Sequence, residues 1–96
     1  MKSDKIYLVV SEDIGVDDGI EEKWHFAFSS REKALVKFNS LKKTFEHYWK
    51  EESSVPYTEE IDTDYYCIYE TGSYCMNYST VYITVLFLDE ECDNNA

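Results

Sequence analysis

Ninety-six residues with 44% apolar side chains, five Phe, two Trp and nine Tyr read as one globular domain, because a chain of this size buries roughly two thirds of its unfolded surface in a single core and cannot support two. That composition excludes a disordered chain. No apolar run approaches the roughly 20 residues of a membrane helix, and the start Met1-Lys2-Ser3-Asp4-Lys5 has no signal-peptide core, so the expected compartment is cytoplasmic with no membrane partner.

The formal net charge of −11 is unevenly placed. Residues 1–29 hold seven acids and three bases, residues 30–50 two acids and six bases, and residues 51–96 eleven acids and no Lys or Arg. Carboxylates without local counter-charges project their field over about a Debye length, roughly 8 Å at physiological salt. A basic partner is therefore favoured, and direct nucleic-acid binding is not, since phosphate contacts need clustered bases outside a negative field.

In chain order, Lys5 to Ser11 is rich in β-branched and aromatic residues and reads as a first strand. Asp13, Gly15, Asp17, Asp18 and Gly19 mark a long acidic loop from Glu12 to Glu22, after which Trp24, Phe26 and Phe28 alternate on one face of a second strand. Ser29-Ser30-Arg31-Glu32 has the spacing of a capping box, with Ser29 as the cap. Ala34, Phe38, Leu41, Phe45 and Tyr48, widened by Leu35 and Trp49, then form one apolar stripe of a helix reaching about Lys50. Lys33, Lys37, Lys43, His47 and Lys50 fall on its solvated side.

Residues 51–64 show no useful period, contain the only proline, and are expected to form an acidic loop of functional length. Tyr65 to Glu70 reads as a third strand and Ser79 to Leu88 as a fourth, with Val81, Ile83, Val85 and Phe87 on one face. Residues 89–96 read as a frayed acidic tail. The expected fold is α+β, ordered β-β-α-β-β: a four-stranded, mostly antiparallel sheet with one long amphipathic helix across one face, and Tyr and Thr on the other.

Catalytic signatures are absent. Three glycines leave little room for a phosphate cradle, and no GxSxG, HExxH or Walker segment occurs. Counting from Asp13 puts Gly19 at position 7 of a calcium loop, where position 6 needs the glycine, so that match fails. Cys67, Cys75 and Cys92 are odd in number and lack CxxC spacing, which favours free thiols over a disulfide or a zinc site borrowing His25 or His47. Neither metal nor cofactor is expected.

Tyrosine beside acid is the remaining unusual feature. Tyrosine offers large contact area at low entropy cost, and acids steer a basic partner towards it. The expected contact residues are Glu51, Glu52, Tyr57, Glu59, Glu60, Asp62, Asp64, Tyr66 and Glu70.

In its size, its acidic segments at residues 12–22 and 51–64 and its compact α+β layout, the chain resembles the small acidic inhibitors of phages and mobile elements, including anti-CRISPR proteins and DNA mimics. The resemblance spans the whole chain without a family motif and transfers no residue role. It implies a non-enzymatic inhibitor that presents carboxylates where a basic, nucleic-acid-binding host-defence protein expects phosphates. An immunity protein or antitoxin neutralising a nuclease toxin obeys the same physics. A small-molecule-binding or enzymatic domain, with a helix–sheet pocket near His25 and a Cys, is the alternative from another class.

Overall fold

The computed structural model describes residues 4–15, 19–71 and 77–88. Its elements are β1 (Asp4–Gly15), β2 (Ile20–Phe28), α1 (Arg31–His47) continued by a wider π-type turn (Tyr48–Glu52), β3 (Tyr57–Asp62), β4 (Tyr65–Glu70) and β5 (Tyr78–Leu88). The five strands form one antiparallel sheet in the order β2-β1-β5-β4-β3. The α+β class thus holds, but the sheet has five strands instead of the expected four.

The added strand is β3, within the segment expected to be a loop. Residues 57–62 pair with β4 from Tyr57 opposite Glu70 to Asp62 opposite Tyr65. Its start is pinned by Thr71 N–H donating to the Pro56 carbonyl at 3.0 Å and by a 2.6 Å bond between the Thr58 and Thr71 hydroxyls. Proline before a strand costs no ladder bond. At the β3–β4 turn Asp62 Oδ1 accepts from Thr63 N–H at 2.7 Å, and the Asp64 carbonyl accepts from Ile83 N–H at 3.0 Å.

The first acidic loop is also shorter than expected. Pairing of β1 with β2 continues to Gly15 opposite Ile20, so Glu12 to Gly15 and Ile20 to Glu22 are strand and not loop. Gly19 takes φ +70°, a left-handed conformation that glycine adopts without steric cost. Glu12 and Asp13 remain in strand because β5 backs them: Thr80 and Ser79 stand opposite in the ladder.

Helix α1 lies across β1, β2 and β5 and reaches β4. Its cap is Ser30, whose side chain accepts from Lys33 N–H at 3.1 Å, and not Ser29. Ser29 alone has a Glu three residues on, but Ser30, followed at that spacing by Lys33, is the residue in extended conformation (φ −130°, ψ 146°) just before the first helical turn and caps through its hydroxyl without a reciprocal carboxylate.

The core gathers Val9, Ala34, Phe38, Phe45, Trp49, Tyr66, Ile68 and Val81, flanked by Tyr7, Phe26, Phe28, Leu35, Leu41 and Ile83. Tyr48 is not part of it. The helix widens at this residue, and the last buried member of the stripe is Trp49, whose indole N–H donates to Ser79 Oγ at 2.9 Å. The expected β5 face is buried only where the helix covers it: Val81 is buried and Ile83 half-buried, while Val85 and Phe87 are exposed beyond the first turn of α1.

Both sheet edges are charged, by Glu21, Glu22 and Lys23 on β2 and by Glu59 and Glu60 on β3. Charges there oppose pairing with another chain.

Candidate functional site

In an antiparallel ladder, residues directly opposite share a face and neighbours along a strand alternate. The register therefore assigns every described strand residue to the helix side or to the open side of the sheet. Tyr65, Cys67 and Tyr69 of β4, Tyr78, Thr80, Tyr82 and Thr84 of β5, Val10 and Glu12 of β1, His25 and Lys23 of β2, and Thr58, Glu60 and Asp62 of β3 lie on the open side. No element of the described chain covers this face, yet Val10 and Thr80 are buried at its centre. The large neighbours Tyr65 and Tyr82, each half-buried, close over them.

Carboxylates are interleaved with these rings. Tyr78 Oη donates to Glu12 at 3.1 Å and Tyr69 Oη to Glu60 at 3.3 Å. Burial, then Glu12, raises the Tyr78 pKa above its ordinary value; burial, then Glu60, does so at Tyr69; burial, then Cys67, at Tyr65. The phenols therefore stay protonated as donors and hold carboxylates at the surface. Among the described residues, Glu12, Glu21, Glu60 and Asp62 stand on this face with Lys23 as its one lysine.

Helix α1 on the other side is locally basic, with five Lys or Arg against Glu32 and Glu46. Arg31, Lys33, Lys43 and His47 are exposed on α1, while Lys37 folds over the Phe26 ring at 4.2 Å and Lys42 over Tyr66 at 5.6 Å. The molecule measures 52 × 30 × 18 Å. Charges on the two sides are screened from one another only along solvent paths around the molecule, which are longer than a Debye length of about 8 Å, so the open-face acids keep a local negative field in the adjoining solvent.

The nine expected contact residues are not brought together. Glu60 and Asp62 lie on the open face; Tyr57, Glu59, Tyr66 and Glu70 face the helix side; Asp64 sits in the β3–β4 turn; Glu51 and Glu52 are exposed on the π turn. Tyr66 is fully buried and drops out of any contact surface, because the helix packs directly on it. Glu70 accepts from the Asn77 side-chain amide at 2.9 Å, and Glu52 pairs with His47 at 3.2 Å.

Glu59 also departs from expectation, since a counter-charge reaches it from the helix. Lys50 Nζ lies 2.9 Å from Glu59 Oε2, and Tyr66 Oη donates to the same oxygen at 2.7 Å. Burial works against the charged carboxylate, but the bonds from Lys50 and Tyr66, with the Lys50 and Lys42 charges, outweigh it and hold the pKa below its ordinary 4.5. A carboxyl with a depressed folded-state pKa stabilises the fold above its unfolded value, and this stability is lost as pH falls through the folded value. Glu59→Gln is therefore expected to lower Tm at pH 7, with the gap from the parent protein narrowing as pH drops from about 5 to 3. Thermal melts across that range check it; a gap that stays constant would show that Glu59 acts through shape alone.

Among the described residues His25 and Cys67 do not meet as a thiol–imidazole pair. His25 and Cys67 are on the same face, but β1 and β5 lie between them, which separates their strands by three spacings of about 4.8 Å. Burial pushes the Cys67 thiol up, only partly offset by Tyr65 and Thr80, and a protonated thiol is a poor nucleophile. Cys75 and Cys92 lie outside the described residues. Among the described residues no three His, Cys, Asp or Glu side chains gather as a metal-ligand set, and no helix is long and apolar enough to cross a membrane.

The open face carries Tyr65, Tyr69, Tyr78, Thr80, Tyr82 and Thr84, the tyrosine and threonine expected there, but sequence reasoning did not join Glu12 and Glu21 to them as one surface. Alternation within each strand was a usable signal, but their union depends on strand order. Comparison with known proteins finds no matching family model, curated protein or solved structure, so a functional reading rests on this chain's own residues.

Proposed function

We propose that this chain is a non-enzymatic acidic binding protein whose open sheet face occupies the basic, nucleic-acid-binding surface of a partner protein, as anti-CRISPR and DNA-mimic inhibitors do. The observation that carries this reading is the uncovered tyrosine face with its interleaved carboxylates, on the side of the sheet opposite the helix bases. Tyrosines supply desolvated contact area, and carboxylates stand in for phosphates. The same charge disfavours a second copy on this face, because like charges brought together across an interface cost several kcal/mol, on the order of 2–5.

The test is capture from a host lysate on the parent protein and on Glu12→Gln/Glu60→Gln/Asp62→Asn, each with and without double-stranded DNA as competitor. A basic protein held by the parent, lost on the variant and displaced by DNA is expected. A captured protein that ignores both the variant and the DNA would overturn the reading.

A further inference from the structure

A cleft of about 370 Å³ opens on the helix side, where the π turn meets the ends of β1 and β5. Its walls include Phe45, Tyr48, Trp49 and Val55, and its polar groups include Asp13 and Ser79. Trp49 Nε1–H donates to Ser79 Oγ at 2.9 Å, and Ser79 O–H donates onward to Asp13 Oδ1 at 2.9 Å. Trp49 and Ser79 are both buried, Ser79 with 1% of its surface exposed. Every donor of this chain points the same way and is consumed within it, so the chain ends on an acceptor, the half-buried Asp13 carboxylate. Among the described residues no cation pairs with Asp13. Lys50, the lysine nearest in sequence to the cleft's aromatic wall, is drawn to Glu59 at 2.9 Å and Glu46 at 3.7 Å instead. Glu22, opposite Asp13 in the β1–β2 ladder, adds a second carboxylate on the same side of the sheet.

We infer that this cleft binds a small organic cation, an alkyl ammonium or guanidinium group. A carboxylate supplies the charge-assisted hydrogen bond, Tyr48 and Trp49 supply aromatic surface that attracts a cation, and the volume is at the low end of ligand sites, about 300 to 1,000 Å³. The site lies across the sheet from the proposed contact face and stands or falls independently of it.

The test titrates n-butylammonium, n-butylguanidinium and the neutral n-butanol into the ¹⁵N-labelled protein, following the Trp49 indole N–H in a Trp24→Phe background, since Trp24 is exposed. Saturable shifts are expected for both cations with affinity at least tenfold above n-butanol. Asp13→Asn, which keeps an acceptor for Ser79, is expected to weaken cation binding at least tenfold while the melt remains cooperative; Tyr48→Ala, at an exposed wall, is expected to weaken it several-fold. A capped Gly-Lys-Gly peptide separates the two sources of the group: binding as tight as n-butylammonium assigns the cleft to a protein side chain, and exclusion of the peptide with binding of the amine assigns it to a free amine. No saturable shift with either cation, equal affinity for n-butanol, or an unchanged affinity in the folded Asp13→Asn protein would overturn the inference.

Discussion

Tyr66→Ala is expected to remove a large share of the folding stability, about 3–5 kcal/mol from a total on the order of 5–14 kcal/mol for a domain of this length. Tyr66 has no exposed surface and sits where β4 meets the helix, with Val81 opposite on β5 and Ile61 opposite on β3. Truncation leaves a cavity there and also strips the 2.7 Å donor from Glu59. Burial and then the Glu59 carboxylate push the Tyr66 pKa far up, so the hydroxyl is a donor at any physiological pH. Tyr66→Phe separates the two contributions: it keeps the ring and loses only a bond to a charged acceptor, about 1.5–3 kcal/mol. Urea titrations of the three proteins check this. If Tyr66→Ala costs no more than Tyr66→Phe, the ring does not fill the core as its burial implies.

The same residue shows why part of the fold was legible and part was not. Helix α1 follows from the spacing of Ala34, Phe38, Leu41 and Phe45, which matches the helical period whatever the helix packs on. Strand β3 does not announce itself, because its inward position nearest the core is Glu59, and a search for alternating apolar residues rejects it. What makes Glu59 acceptable there is Lys50 from the helix and Tyr66 from β4, partners that only the assembled fold provides. The tail of the helical stripe fails for a related reason: Trp49 outcompetes Tyr48 for the interior because Ser79, thirty residues on, accepts its indole N–H. The Ser79 bond to Asp13 spans 66 residues, so the cleft it lines has no local signature at all.

The expected contact residues met the same limit. Contiguity along residues 51–64 suggested one acidic surface, but conversion of 57–62 into a strand sends Glu59 and Glu60 to opposite faces, as the two-residue period requires. Glu60 and Asp62 share the open face with Glu12 and Glu21 from distant strands. A substitution set drawn from sequence proximity, Glu59 included, would mix a stability defect with a binding defect. Glu59→Gln is thus the control for fold, and the open-face acids are the test of contact.

Neutralising those acids as Glu12→Gln/Glu21→Gln/Glu60→Gln/Asp62→Asn is expected to slow association with a basic target about tenfold or more at low salt, while changing dissociation much less. Long-range steering acts on the encounter and raises on-rates by about 10- to 1,000-fold, whereas short-range contacts set the off-rate. The parent protein's association rate should fall steeply between about 50 and 300 mM salt as the Debye length shrinks from roughly 14 to 6 Å, and the variant's dependence should be shallow. Glutamine at position 12 still accepts from Tyr78, so the ring that it positions is retained. A ten-lysine peptide serves as a defined probe by stopped-flow fluorescence, alongside any basic protein captured from lysate. Residues 89–96, whose acids lie outside the described structure, are removed in a second variant for comparison. If that truncation reproduces the loss and the four open-face substitutions do not, the steering charge belongs to the tail, and the sheet face loses its claim as the docking surface.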